Sequence, residues 1–147
     1  MAILIDNRQN IQKIHLKKVQ QKAQVILNAL DNPDAELSIL IVDDPQIEIL
    51  NRKYLNREGP TNVIAFPMLE GDFSQISPQL LGDVVVSIET AERERINSGL
   101  SLEERFTQLI IHGILHLFGY DHEEDENEAE LMERKSNDLL KFIESGG

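Results

Sequence analysis

The strongest constraint on the fold of this chain lies between Ser101 and His122. The segment opens as Ser101-Leu102-Glu103-Glu104, the S-x-x-E form of a capping box, in which the serine hydroxyl and the glutamate carboxylate each satisfy a backbone N–H left unpaired at a helix start. Phe106, Leu109, Ile110, Gly113 and Leu117 follow at helical spacing. Gly119 then ends the helix, because glycine takes positive φ without steric cost. Within this helix His112 and His116 stand at i and i+4, so both imidazoles leave one face, one turn apart, and can reach one ion. The turn at Gly119 brings the chain back so that His122 approaches the same point. The pattern is H-x3-H-x2-G-x2-H. Three neutral imidazoles with an open fourth position are the layout of a catalytic tetrahedral zinc site, which keeps that position for water.

Other residues near this pattern are less telling. His15, the fourth histidine, stands alone and reads as an ordinary surface or core residue. Asp121 either orients a ligand as a hydrogen-bond acceptor or caps the last helix. Met132 stands on a helix, where it reads as core.

The remainder of the chain alternates strands and helices. Ala2 to Ile5 is a short strand, and the apolar spacing of Leu16, Val19, Ala23, Ile26, Leu27 and Leu30 predicts an amphipathic helix from about Ile11. Leu37 to Val42 is a second strand, after which Asp44-Pro45 supplies an N-cap and a first-turn proline for a helix through Tyr54. Val63 to Phe66 is a third strand, closed by Pro67, and a loop runs from Met68 to about Pro78. Asp83 to Ile88 is a fourth strand, and Thr90 to Asn97 a helix that Gly99 ends. A last helix runs from the acidic segment to about Ile143, with Leu131, Leu139, Leu140 and Ile143 as apolar contacts. The expected fold is a single α/β (α+β) domain over residues 1–147, with a small mixed four-stranded sheet and about five helices.

Composition closes several doors. With no cysteine among 147 residues there is no disulfide framework, thiolate metal site or cysteine nucleophile, and a reducing cytoplasm is the natural compartment. The N-terminus has no basic region ahead of its apolar run, so it does not read as a signal peptide, and no stretch approaches the roughly 18 apolar residues of a membrane span. The net charge of −12 argues on its face against nucleic acid. It is unevenly placed, however. Residues 1–60 carry eight basic and eight acidic residues, so the excess lies entirely beyond them, and Asp121 to Glu133 alone holds eight carboxylates. Arg8 to Lys22 holds five cations and no carboxylate, so a basic face can survive on an acidic protein. If a nucleic acid binds, it should approach by the side lined with Arg8 to Lys22 and Arg52 to Arg57.

The histidine spacing is that of the extended zincin motif H-E-x-x-H-x-x-G-x-x-H, with Gly113 in place of the glutamate that serves the proteases as general base. Peptide cleavage thereby loses its helper. A phosphodiester, whose transition state needs charge neutralisation more than a base, becomes the better substrate.

His112-Gly113-Ile114-Leu115-His116-Leu117-Phe118-Gly119-Tyr120-Asp121-His122 resembles the signature of the YbeY-type endoribonucleases, the bacterial ribosomal RNA maturation factors. The resemblance continues in Leu50-Asn51-Arg52-Lys53-Tyr54, in Pro60 to Pro67 and in Leu81 to Ser87. It implies a zincin-like domain with one Zn2+ on His112, His116 and His122. It further implies a cytoplasmic hydrolase that cuts single-stranded RNA in 3′-end maturation of small-subunit (16S) ribosomal RNA and in ribosome quality control. The partners implied are the RNA precursor and the small ribosomal subunit, with neither DNA nor a membrane. Two positions depart from the family. Leu55 stands where an arginine usually follows the tyrosine, leaving Arg57 or Arg52 to reach similar space, and Arg57 is carried forward as the catalytic cation beside His112 and His116. Ala65 stands where serine is common. The alternatives are another zinc-dependent hydrolase, a peptidase or amidase, or a zinc-containing ribosome-assembly protein that binds RNA without cutting it. Ni2+ or Cu2+ would also bind three histidines.

Overall fold

Four short runs of β-branched and apolar residues pair into one mixed sheet in the computed structural model, which describes residues 3–67, 80–120 and 126–144, the side chains of 126–129 excepted. The strands are β1 (Ile3–Asn7), β2 (Glu36–Val42), β3 (Val63–Pro67) and β4 (Leu80–Ser87). Their spatial order is β1-β2-β4-β3, with β1, β2 and β4 parallel and β3 antiparallel to β4 at one edge. The helices are α1 (Leu16–Ala29), α2 (Asp44–Leu55), α3 (Ile88–Ser98), α4 (Leu102–Leu117) and α5 (Glu126–Glu144). The α/β class, the mixed four-stranded sheet and the five helices expected from the sequence are all present among the described residues.

Alternation along the strands sends residues to two unequal cores. Leu37, Ile39, Ile41, Val84 and Val86 join residues of α1, α3, α4 and α5 in the larger one. Val42, Ile64 and Val85 meet Ile47 of α2 in the smaller one, so α2 covers the opposite face. Across the top of the sheet the Asp44 carboxylate ties these layers together. It accepts from the Ser87 and Thr90 hydroxyls at 2.6 Å each and from Arg93 at 2.7 Å. Burial alone would push its pKa up, but these hydrogen bonds and the Arg93 charge outweigh that and hold the carboxyl below its ordinary value.

Several boundaries differ from the sequence expectation. α1 starts at Leu16 and not near Ile11, because the Gln9 side-chain oxygen accepts from the N–H groups of Ile11 and Gln12 and holds that stretch in a turn. Asp43, not Asp44, caps α2, accepting from the Gln46 N–H at 3.1 Å. β4 begins at Leu80 and stops at Ser87, whose hydroxyl caps α3, so Ile88 is helical. In α5, Met132 and Leu139 are buried as expected, at 3% and 4% exposed, whereas Leu131, expected as an apolar contact, is 50% exposed. Ala2 and the Met68–Pro78 loop lie outside the described residues. Among those described, no helix is long and apolar enough to cross a membrane.

Candidate active site

The capping box forms as the sequence requires: the Ser101 hydroxyl accepts from the Glu104 N–H at 3.0 Å, and the Glu104 carboxylate accepts from the Ser101 N–H at 2.9 Å. α4 therefore has a fixed start, and its end is set by Gly119 at φ 94°. Between them Gly113 lies flat on the sheet. A Cβ there would stand 2.5 Å from Val84 Cγ1 and 3.3 Å from Val63 Cγ2, so only glycine allows α4 this close to β3 and β4. The direction matters as much as the space. A side chain at 113 would enter the packed interface with the sheet, which removes room for the zincin glutamate at that position in this chain.

The next face of α4 carries His112 and His116, both half-buried. Their Nε2 atoms are 3.1 Å apart and their ring planes are inclined by 57°. Two neutral imidazoles at that distance either share one N–H between them or turn two lone pairs toward one cation. Nitrogens bound to a single tetrahedral zinc stand about 3.3 Å apart, from Zn–N bonds of about 2.05 Å, so this donor pair fits such an ion. His122 and Asp121 lie outside the described residues, and among those described no group of three or more metal-ligating side chains is assembled.

His112 opens into a cleft of about 380 Å³ between α4 and α5. Its wall is a polar chain that reaches across three elements. Arg105 donates through Nε and Nη2 to one oxygen of Glu94 at 3.1 and 3.0 Å, and through Nη1 to Gln108 at 2.7 Å. Asn62, just ahead of β3, donates to the same Glu94 carboxylate. None of these residues was singled out as functional from the sequence. Arg105, Gln108 and His112 are three and seven positions apart along α4, so counting around the helix would have found two of them. Ser136 and Asn137, which face them from α5, carry no local signal.

The remaining candidates are placed elsewhere. Arg57 is exposed in the segment joining α2 to β3, after Asn56, a left-handed helix cap, and its backbone N–H bonds to the Asn51 carbonyl at 3.3 Å. Arg52 pairs with Glu48 one turn earlier on α2, and Leu55 beside them is 41% exposed. Ala65 packs on the α4 side of β3 and brings no hydroxyl. His15 is exposed at the N-cap of α1. The expected common basic side is not formed: α1 and α2 cover opposite faces of the sheet. Lys18 and Lys22 of α1 face Glu103, Phe106, Thr107 and Ile110 of α4, on the far side of that helix from His112. Amphipathic helices in a layered fold put their cations wherever the apolar stripe leaves them, and the two stripes here face opposite ways.

A histidine-bearing helix laid on a small mixed sheet, beside its one antiparallel edge strand, defines this protein as a mixed α/β domain. The model of the family described as Endoribonuclease YbeY matches residues 4–144. A protein of Geobacter sulfurreducens named Endoribonuclease YbeY is 44% identical over 148 aligned residues, which span 100% of this chain and 99% of the relative. Another of that name from Syntrophotalea carbinolica is 49% identical across 96% of this chain and 95% of its own. The chain belongs to the YbeY endoribonuclease family. The solution structure of TM1509 from Thermotoga maritima shares the fold, with a TM-score of 0.68 at 24% identity, over 95% of this chain and 87% of that one.

Proposed function

We propose that this chain is a metal-dependent endoribonuclease that cuts single-stranded RNA. His112, His116 and His122 hold one Zn2+, and the substrate in the cell is the precursor of small-subunit ribosomal RNA. Its place of work is the cytoplasm, on the small ribosomal subunit, in 3′-end maturation and quality control of ribosomes. The observation that carries this reading is the pair of imidazole nitrogens 3.1 Å apart, one of them from a residue lining a cleft, in a chain of this family. When bound, such an ion supplies an acidified water and a charge that polarises phosphate oxygens.

The residues contribute the rest. His112 and His116 present their Nε2 atoms from a helix fixed at both ends, so the donors are positioned before substrate arrives. Gly113 leaves no carboxylate base on α4 beside them. The proton of the attacking hydroxyl or water therefore leaves by another route than a carboxylate on α4, and neutralisation of phosphate charge is the main source of rate. Arg57 is the cation proposed to share that task, ahead of the edge strand that flanks α4.

Elemental analysis of purified protein, with cleavage of single-stranded RNA and of a peptide pool measured before and after chelation, tests this directly. Stoichiometric zinc, RNA cleavage that chelation stops and zinc restores, and intact peptides are expected. RNA cleavage retained by rigorously purified His116→Ala would reject the site.

A further inference from the structure

The cleft beside His112 is polar without being cationic. Arg105 is the one Lys or Arg among its described lining residues, and the Glu94 carboxylate already neutralises it through two hydrogen bonds. Glu133 adds a carboxylate at the rim. An RNA phosphate gains little from such a wall. What the cleft does offer is hydrogen-bonding capacity. Arg105 has five N–H groups and the described contacts use three of them. Gln108 accepts with its carbonyl and keeps its amide hydrogens, while Ser136 and Asn137 present an uncharged hydroxyl and amide from the opposite wall. Leu109, Met132 and Leu140 supply apolar lining between them. An internally paired guanidinium and uncharged amides set among apolar side chains match a nucleobase, which combines donors and acceptors on its rim with two apolar faces.

We propose that this cleft is a nucleobase pocket, which takes the base of a nucleotide flanking the cleaved phosphate and reads its edge through Arg105, Gln108 and Asn137. The assignment rests on the reading of the chain as an enzyme that cuts RNA. The pocket gives the enzyme a preference among bases at one position of the strand, while the phosphates are held outside it.

Cleavage of a pool of single-stranded RNAs randomised at every position, read by sequencing the product ends, tests this with the full chain loaded with zinc. The wild type is expected to favour one base at one position near the cut by about three- to tenfold, the scale of one hydrogen bond. Gln108→Ala and Asn137→Ala are expected to flatten that position and leave the base profile at the others as it was. Asn137 is exposed, so its substitution does not depend on refolding of the core. Independently, the side-chain amide signals of Gln108 and Asn137 should shift on adding the preferred nucleoside, and not on adding inorganic phosphate. A flat wild-type profile, variants with the wild-type profile, or amides that respond equally to phosphate would each overturn the pocket while RNA cleavage itself stands. A wild type that cuts no RNA under any metal loading would overturn both the pocket and the reading beneath it.

Discussion

α4 shows two open flanks to the rest of the molecule, and they differ in kind. On one, against α1, Lys13, Lys18 and Lys22 rim a groove floored by Val19, Phe106 and Ile110. Lys22 is drawn down onto Glu103 at 2.7 Å and onto the Thr107 hydroxyl at 3.1 Å. On the other, against α5 and Asn62, there is one internally paired arginine, several amides and the imidazole pair. The flank that looks made for RNA by charge is the one without His112 and His116. Net local charge reports where an amphipathic helix keeps its solvated stripe, whereas the chemistry sits where side chains from separate elements converge.

The contrast would break most visibly at His116. Changing it to alanine should lower RNA cleavage at least about 100-fold, the scale of removing one preorganised electrostatic contact from a transition state. The metal-free protein should melt close to wild type, because the ring is only half-buried. A metal-free protein that lost many degrees would instead make His116 a structural residue, and the two flanks would no longer differ in role.

The third side of α4, on the sheet, gives the next largest effect. Gly113→Ala forces a methyl group to 2.5 Å from Val84 Cγ1, and overpacking of this kind costs about 1–3 kcal/mol even after the better helix propensity of alanine. For a chain of this size that is a fall in Tm of a few degrees per kcal/mol. Val84→Ala should partly rescue it, so that thermal unfolding of the single and double variants shows a coupling of about 1 kcal/mol or more. Additive losses would mean that α4 and β4 are less closely packed than the structure has them.

The histidine helix was legible in the sequence for a physical reason: its start, its stop and its two histidines are all encoded by residues within one local stretch, and local hydrogen bonding decides them. The capping box at Ser101, the positive φ of Gly119 and the proximity of His112 and His116 follow from spacing alone. The boundary at Ile11 was not legible, since a single glutamine side chain, Gln9, competes there with the helix for backbone N–H groups. Met132 was read as core and is buried, but the exposure of Leu131, expected as an apolar contact, was not legible, because it depends on how α5 is rotated about its axis. The Asn62–Glu94–Arg105 chain joins residues distant in sequence, and periodicity within one element carries no information about such a meeting. The common basic side failed for the same reason: charge runs can be read along the chain, but the sheet face that each one lands on cannot.

On the α1 flank the expected effects are small. Glu103 has its carboxyl held below the ordinary glutamate value, first by the Lys22 hydrogen bond and then by its charge, with burial opposing. A carboxyl pKa lowered in the folded state contributes stability above the unfolded value and loses it as pH falls through the folded one. A double-mutant cycle with Lys22→Met and Glu103→Gln should therefore give a coupling that shrinks below about pH 4. Because the Glu103 side chain is 60% exposed, solvent screening should keep it under about 1 kcal/mol at neutral pH. A larger coupling that survives acid would place the pair in a drier setting than this groove.

Smallest of all should be the effect of neutralising the lysines themselves. Lys13→Gln, Lys17→Gln and Lys18→Gln together remove three charges from α1 and the turn ahead of it without placing new carboxylates near Glu103. Beyond a Debye length of about 8 Å at physiological salt an exposed charge is largely screened, and α4 stands between Lys13 and Lys18 and the imidazoles. The cleavage rate of a short single-stranded RNA should stay within about twofold of wild type at that salt and fall somewhat further in dilute buffer, where steering reaches farther. A tenfold loss at physiological salt, with a shallower salt dependence than wild type, would show that the RNA passes around α4 and touches both flanks. The charge on α1 would then belong to the substrate path after all, and the division of α4 into a solvated flank and a reactive one would have to be redrawn as a single continuous track.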